Sequence, residues 1–308
     1  MPSTRKIHRV MISKPTLEGA GVHLRRGFGF HETHLTDPFL LLDDFRGDSP
    51  EQYEKGFPWH PHRGIETITY MLAGRVEHGD SLGNGGVIAK GDVQWMNSGS
   101  GIIHQEMPKG DPDGRMEGFQ LWVNLPRASK MSTPNYQEVK NDQIPELELG
   151  NGVKVRVICG EVAGKRGPVT DVTISPEYLD VHMPPGRRFI HPTPADQTAI
   201  AYVYEGSGIF GGETDPFAYE QEGISYFDTR RDAMQGNHTV IVFEPGDQIE
   251  ALASKEGVRF IFVSARPLKE PVAWYGPIVM NTEDELRTAF DELNKGTFIK
   301  ERGKGNPA

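Results

Sequence analysis

The chain has 308 residues, a formal net charge of −10 and a single cysteine, Cys159. An acidic chain gains little from displacing counterions on a phosphate backbone, so direct nucleic-acid binding is not expected. A lone cysteine excludes an intramolecular disulfide, and no apolar run reaches signal-peptide or bilayer-spanning length. These features predict a soluble cytoplasmic protein without membrane contact, with a nuclear location as the alternative, and we expect a monomer.

Short β-type segments follow one another along the chain. Glycine and proline are plentiful, at 36 and 23 residues, and favour strands joined by tight turns. Residues 65–72 predict a strand, 76–78 and 87–89 predict further strands, and 119–125 form another apolar run. Segment 126–150 is polar and proline-containing, so it predicts a boundary between two domains.

The second half of the chain repeats the plan of the first. Tyr202–Gly206 resembles Tyr70–Gly74, and Glu244–Asp247 resembles Ala89–Asp92. Each pair of landmarks combines an apolar strand with a glycine turn and a later Gly-Asp turn. Two similar β-units in tandem predict an all-β chain built as a duplicated barrel.

One helix is predicted near the C-terminal end. Thr282 and Glu285 form a capping box, the helical segment runs over 283–295, and Gly296 follows it. The apolar positions of this segment share one face: Leu286, Ala289, Phe290 and Leu293.

A possible metal site is carried by two short motifs. His60 and His62 stand two residues apart, so a strand would point both imidazoles the same way. Glu66 has the same parity if the strand stays regular, and His104 and Glu106 form a second such pair. Three histidines and one carboxylate suit Fe(II), Mn(II), Ni(II) or Cu(II), with positions left for substrate and oxygen. Spacing alone leaves Glu66 and Glu106 as competing ligands.

Longer strings resemble the pirin family of bicupins, within the cupin superfamily. The resembling segments are Asp37–Phe45, Phe57–Thr67, His78–Asn84, Gly118–Pro126 and Gly276–Thr282. The resemblance implies an all-β fold of two tandem cupin-type β-barrels with a short C-terminal helix. We expect a metal-binding barrel over residues 1–135, a second barrel without metal ligands over 145–295, and a tail over 296–308.

The resemblance also implies the ligands and the metal. It implies one Fe(2+) per chain, with Mn, Ni or Cu as alternatives, held by His60, His62, His104 and Glu106. Glu66 then becomes either a supporting carboxylate that orients a histidine N–H group or a carboxylate of the core.

The second barrel provides an internal comparison. Aligning the two repeats places Pro192 and Pro194 at the positions of the first histidine pair, and Arg259 and Ile261 at those of the second motif. None of the four is a metal ligand, so one metal per chain is predicted. The remaining histidines of this half are interpreted as structural: His182, His191 and His238.

Two features near the motifs bear on a pocket. Apolar residues that are candidates for its walls, or for plain barrel core, are Phe57, Trp95, Met96 and Phe119. The glycine-rich segment His78–Asn84 is interpreted either as a loop at the mouth of the site or as a tight surface turn.

Three functions follow from the resemblance, in order of preference. The first is a quercetin 2,3-dioxygenase, which cleaves the central ring of a flavonol with O2 and releases carbon monoxide; Glu106 would act as general base, and the partners would be a small planar aromatic substrate and O2. The second is an iron-dependent regulatory protein that binds a transcription factor or a metabolic enzyme. The third is a sugar- or metabolite-binding bicupin without oxygen chemistry.

Overall fold

The computed structural model describes residues 2–222, 227, 229 and 231–300, so part of the predicted tail 296–308 lies outside the described residues. The strands of the first half are β1 (Ile7–Ile12), β2 (Lys14–Glu18), β3 (Val22–Phe28), β4 (Phe39–Asp44), β5 (Phe57–His62), β6 (Ile65–Ala73), β7 (Arg75–Asp80), β8 (Gly85–Ala89), β9 (Val93–Asn97), β10 (Ile102–Lys109), β11 (Glu117–Asn124) and β12 (Asn135–Val139).

The remaining elements follow the same numbering. The strands of the second half are β13 (Glu146–Glu148), β14 (Lys154–Cys159), β15 (Glu161–Val162), β16 (Lys165–Arg166), β17 (Glu177–Met183), β18 (Arg188–Pro192), β19 (Thr198–Phe210), β20 (Glu220–Gln221), β21 (Gln235–Gly236), β22 (Thr239–Phe243), β23 (Gln248–Ala265), β24 (Ala273–Tyr275) and β25 (Ile278–Met280). The helices are α1 (Thr33–Thr36) and α2 (Glu283–Asn294), with 3-10 turns at Phe30–Glu32, Pro50–Gln52, Arg127–Ser129 and Asn141–Gln143.

Strands dominate both halves, which confirms the all-β fold class, and the predicted strand over 65–72 is β6. No helix within the described ranges is long and apolar enough to cross a membrane. Segment 126–150 is less irregular than expected, because it contains β12 and β13.

The chain divides into two compact units. The first unit comprises Pro15–Thr33, Pro38–Asn141 and Leu268–Ala308. The second unit comprises Met1–Lys14, His34–Asp37 and Asp142–Pro267. The crossing at residues 141–142 lies within the linker expected between 135 and 145, but the two ends of the chain exchange units.

Strand pairing and packing account for this exchange. Near the N-terminus, β1 pairs antiparallel with β22, so it extends the sheet of the second unit. At the other end, Ile278 of β25 bridges Arg63 of the first unit. The sequence ranges 1–135 and 145–295 assign β1 and β25 to the opposite units. Apolar periodicity shows that a segment is a strand without showing which sheet it joins.

The first unit contains two sheets. Their strand orders are β12-β9-β6-β11-β4-β3-β2 and β5-β10-β7-β8. A core cluster in this unit includes Val22, Phe45, Met71, Ile88 and Met116. In β6, Ile65 to Met71 are all buried, which is why this segment reads as a continuous apolar and β-branched run.

The second unit is built on one large sheet. Its main path is β13-β14-β17-β23-β19-β22-β1-β20, and β18 pairs with β23 off this path. The core of this unit is aliphatic and aromatic, with Val155, Leu179, Phe189, Val203 and Phe260 among its buried members.

The predicted C-terminal helix is confirmed. Thr282 caps α2, and its hydroxyl accepts a hydrogen bond from the Glu285 amide at 3.2 Å. The Glu285 carboxylate in turn accepts a hydrogen bond from the Thr282 amide at 2.9 Å. Leu286 and Ala289 are buried in a cluster with Ile278 of β25. The helix therefore packs within the first unit.

Candidate metal centre

The two motif-one histidines lie on β5, which occupies one edge of the four-stranded sheet. An edge position accommodates Pro58 and Pro61, because their missing N–H groups leave no ladder bond unmade. His60 is partly buried, and His62 is 2% exposed. Parity on β5 therefore directs both rings into the unit, as the sequence predicts.

Strand register brings the third histidine to this pair. In the antiparallel pairing of β10 with β5, His104 lies opposite His60 and Ile102 opposite His62. The His60 Nε2 atom lies 3.0 Å from His62 Nε2 and 2.9 Å from His104 Nε2. Ligand atoms of all three residues lie within 4.8 Å of one another.

The outer ring nitrogens fix the direction of two of these rings. His60 Nδ1 lies 2.8 Å from the Pro58 carbonyl oxygen, and His62 Nδ1 lies 3.2 Å from that of Pro277. A carbonyl accepts only, so each Nδ1 carries the proton and each Nε2 presents a lone pair. Lone pairs facing one another at 3.0 Å repel unless a cation lies between them.

Electrostatics favour the neutral form of His62 and His104. Burial lowers the pKa of His62 well below its ordinary value, and His60 acts in the same direction. Burial, followed by His62 and His60, lowers the pKa of His104 well below its ordinary value. Neutral imidazole is the form that ligates a metal, so these two rings are in the ligating state at neutral pH.

The short nitrogen separations bring donor atoms of the three imidazoles close enough to share one ion. His60 Nε2 is the central atom of the set, at 2.9 Å from His104 Nε2 and 3.0 Å from His62 Nε2. A nitrogen-rich set of this kind accepts several divalent metals.

Glu106 lies beside the three histidines and is 7% exposed. Its Oε1 accepts a hydrogen bond from Thr69 Oγ1 at 2.9 Å. The group of atoms within 4.8 Å of one another contains the three histidines and not Glu106, although Glu106 lines the same cavity as His60 and His62. Ligation by Glu106 stays a prediction.

Glu66 points away from the histidines. Its carboxylate accepts from Trp95 Nε1 at 2.9 Å and from Asn97 Nδ2 at 3.2 Å. The parity with His60 fails at Gly64, whose φ of +79° separates β5 from β6. A Cβ at Gly64 would lie 2.0 Å from the Val279 carbonyl oxygen, so only glycine fits this turn.

A fourth histidine lies next to the cluster and was not predicted as part of it. His78, opposite Glu106 in the pairing of β7 with β10, has its ring centroid 5.6 Å from that of His104 and stacks on Tyr136. The loop after it is a tight turn, because Asp80 Oδ1 accepts from the Leu82 and Asn84 amides at 2.9 Å. The signal available in the sequence was that His78 and Asp80 stand two residues apart, so a strand points both side chains to the same face.

A cavity of about 780 Å³ opens from His60, His62 and Glu106. Of the four wall residues expected, Phe57 lines it, whereas Trp95, Met96 and Phe119 do not; strand alternation turns Phe119 away because its neighbours Gln120 and Trp122 face the cavity. The aromatic lining is Phe30, Phe45, Phe57, Trp122, Trp274 and Tyr275.

The second unit holds no equivalent cluster among its described residues, although the equivalent positions differ from those aligned by sequence. Here β18 pairs with the start of β23, so Pro192 lies opposite Gln248 and Ile190 opposite Glu250. Arg259 instead pairs with β17, and Ile261 lies opposite Tyr202 on β19.

The cause of that misalignment is the length of β23. This one strand of 18 residues fills the places of both β10 and β11. The part of β23 that faces β18 includes Gln248 and Glu250, and the Glu250 carboxylate pairs with Arg188 at 2.8 Å. The expectation that the second barrel lacks the motif histidines agrees with these pairings, but Arg259 and Ile261 were the wrong counterparts.

Comparison with known proteins identifies the relatives of this chain. The Pirin family model matches residues 21–123, and the Pirin C-terminal cupin domain model matches 178–299. A pirin-like protein of Caulobacter vibrioides is 42% identical, the match covering 96% of this chain and 99% of that protein. Human pirin is 36% identical over 99% of this chain and 97% of its own.

A solved structure agrees. The crystal structure of quercetin 2,3-dioxygenase from Acinetobacter baumannii superposes with a TM-score of 0.82 and is 32% identical. The match covers 96% of this chain and 99% of that chain.

Proposed function

Because the chain belongs to the pirin family, we propose that it is a metal-dependent dioxygenase that cleaves a flavonol such as quercetin with O2 and releases carbon monoxide. The observation that carries the proposal is the convergence of three Nε2 atoms at one end of a large aromatic-lined cavity. A relative with 32% identity is a quercetin 2,3-dioxygenase, which supports the same substrate class.

His60, His62, His104 and Glu106 would hold the metal, and we propose Fe(II), with manganese, nickel and copper as alternatives. Iron bound there would supply Lewis acidity toward the flavonol oxygens and electron transfer to O2. The three histidines support such an ion because their Nε2 atoms face one another, and burial lowers the pKa of His62 and His104 so that these two rings are neutral.

The residues of the chain contribute three further effects. Glu106 accepts the 3-hydroxyl proton of the flavonol, and Thr69 holds its carboxylate in place at 2.9 Å. Trp122, whose ring centroid lies 5.1 Å from that of His62, and Trp274 provide flat apolar surface for an aromatic ligand. This lining also excludes water from the space beside the histidines.

The test uses protein loaded with Fe(II) without oxygen, titrated with quercetin and then exposed to O2. We expect stoichiometric carbon monoxide and loss of the flavonol absorbance, with neither in His104→Ala. Identical behaviour of the two samples would refute the proposal. Full iron occupancy with no carbon monoxide would favour the regulatory function.

A further inference from the structure

Four polar side chains form a row across neighbouring strands, and three of them line the cavity. Arg26 on β3 lies opposite Asp43 on β4, Asp43 opposite Gln120 on β11, and Gln120 opposite Thr69 on β6. We call these four residues the polar row. Arg26, Asp43 and Gln120 all line the cavity.

Hydrogen bonds join the residues at each end of the row. Arg26 donates to Asp43 through Nε at 2.9 Å and Nη2 at 2.8 Å, and Thr69 Oγ1 lies 2.9 Å from both Gln120 Oε1 and Glu106 Oε1. Both oxygens are acceptors, so the single Thr69 hydroxyl hydrogen is directed at one of the two at a time.

The two ends of the row are well separated along the sheet. Thr69 contacts Glu106, beside the histidines, while Arg26 is three strand spacings away, roughly 14 Å along the sheet. The rungs that flank the row are apolar, with Leu24 and Phe45 on one side and Leu41 and Trp122 on the other.

A second ion pair, between Asp44 and Arg46, provides a comparison for the pair of Asp43 and Arg26. Asp44 follows Asp43 directly and pairs with Arg46, its Oδ1 accepting from Arg46 Nε at 2.7 Å. Neither Asp44 nor Arg46 lines the cavity, whereas Asp43 and Arg26 both do. A buried ion pair adds little stability compared with apolar residues of similar volume, so stability alone does not account for a charged pair inside this cavity.

The charges around Arg26 and Asp43 indicate which chemical group of a ligand this part of the cavity binds. Glu18 also lines the cavity, 2.9 Å from Arg26 Nη2, so two carboxylates surround one guanidinium. An excess of acceptors with negative charge favours neutral hydroxyl donors and disfavours carboxylate or phosphate groups. The aromatic walls require the rest of the ligand to be flat and apolar.

We infer that Asp43, held by Arg26, is a specificity-determining subsite that binds phenolic hydroxyls at the end of the substrate remote from the histidines. The cavity then selects polyhydroxylated flavonols over flavonols without ring hydroxyls. This inference rests on the proposed function, because it takes a flavonol as the ligand of the same cavity.

The experiment measures binding rather than turnover. Nickel(II)-loaded protein is titrated anaerobically with quercetin and with 3-hydroxyflavone, which lacks the other ring hydroxyls, and tryptophan quenching gives both dissociation constants. Wild-type protein should prefer quercetin by about tenfold or more, since a hydrogen bond to a charged group has that effect. Asp43→Asn and Asp43→Leu should weaken quercetin binding about tenfold and change 3-hydroxyflavone binding less than about twofold.

Asp44→Asn is the control and should leave both constants unchanged. Equal weakening of both ligands by Asp43→Asn, or wild-type protein that does not discriminate, would overturn the subsite. Binding of neither flavonol to the wild-type protein would refute the proposed function itself, and the subsite with it. If both Asp43 variants fail to fold, the wild-type preference decides alone.

Discussion

The two units each bury histidine in a β-sheet, but they satisfy its ring nitrogens differently. In the first unit, the Nε2 atoms of His60, His62 and His104 face one another at about 3 Å. In the second unit, His191 Nε2 meets Glu177 Oε1 at 2.9 Å. The His191 ring is satisfied by a carboxylate of the protein itself, whereas ring nitrogens that face one another are stabilised by a shared cation.

This comparison shows that burial of histidine does not by itself identify a metal site. His62 and His191 are 2% and 5% exposed, and both lie among aromatic rings. The distinguishing feature is the partner of the second nitrogen. In the first unit strand register places His104 opposite His60, whereas in the second unit Glu177 of β17 supplies a carboxylate to His191.

The largest expected difference between the histidines of the two units is their effect on metal content. His62→Ala and His104→Ala should each lower iron affinity by more than about 100-fold, because a ligand matters more than the residues that support it. His191→Phe should retain one equivalent. Metal analysis after dialysis checks this, and full metal in both first-unit variants would show that the cluster is not the site.

The next effect separates the two glutamates. Glu106→Gln should lower metal affinity by about 10- to 100-fold and abolish flavonol turnover, because it removes a charged ligand and the proposed base. Glu66→Gln should keep the metal, since that carboxylate is bonded to Trp95 and Asn97. The reverse pattern in metal titrations would make Glu66 the ligand in place of Glu106.

Sequence reasoning predicted the ligand histidines because their determinants are local. Parity within β5 and within β10 needs no knowledge of the fold, and capping residues identify α2 in the same way. Parity failed for Glu66 because Gly64, in the left-handed region, ends β5 before the residue is reached.

Other features depend on long-range pairing and were therefore missed. Trp274 and Tyr275 line the cavity from a segment that follows the whole second unit in the chain. The wrong counterparts Arg259 and Ile261 arose because a linear alignment cannot detect that β23 replaces two strands. Such features are fixed by which strands pair, and periodicity does not encode that choice.

A smaller effect concerns pH and the first unit. Burial raises the pKa of Asp43 to about 6 from 3.8, although Arg26 opposes the shift. The folded chain therefore binds more protons than the unfolded chain between about pH 4 and pH 6, and its free energy of unfolding falls as pH rises through that window. Outside the window Asp43 contributes no slope.

Asp43→Asn removes this titration. The difference in unfolding free energy between wild type and variant should fall by up to about 1.4 kcal/mol per pH unit between pH 4 and pH 6. Tryptophan fluorescence during urea unfolding measures it, since Trp59, Trp95, Trp122 and Trp274 all belong to the first unit. Parallel pH profiles would contradict the raised pKa.

The smallest effect lies in the second unit and completes the comparison. His191→Phe keeps the ring beside Phe189 and Phe262 but removes one hydrogen bond to Glu177, which still accepts from Ser264 Oγ at 2.7 Å. The expected loss is about 1 kcal/mol of unfolding free energy, with metal content unchanged. Far-UV circular dichroism reports this loss because the second unit has no tryptophan. A loss of metal without a loss of stability would contradict this prediction, because it would show that His191 contributes to metal binding rather than to the stability of the second unit.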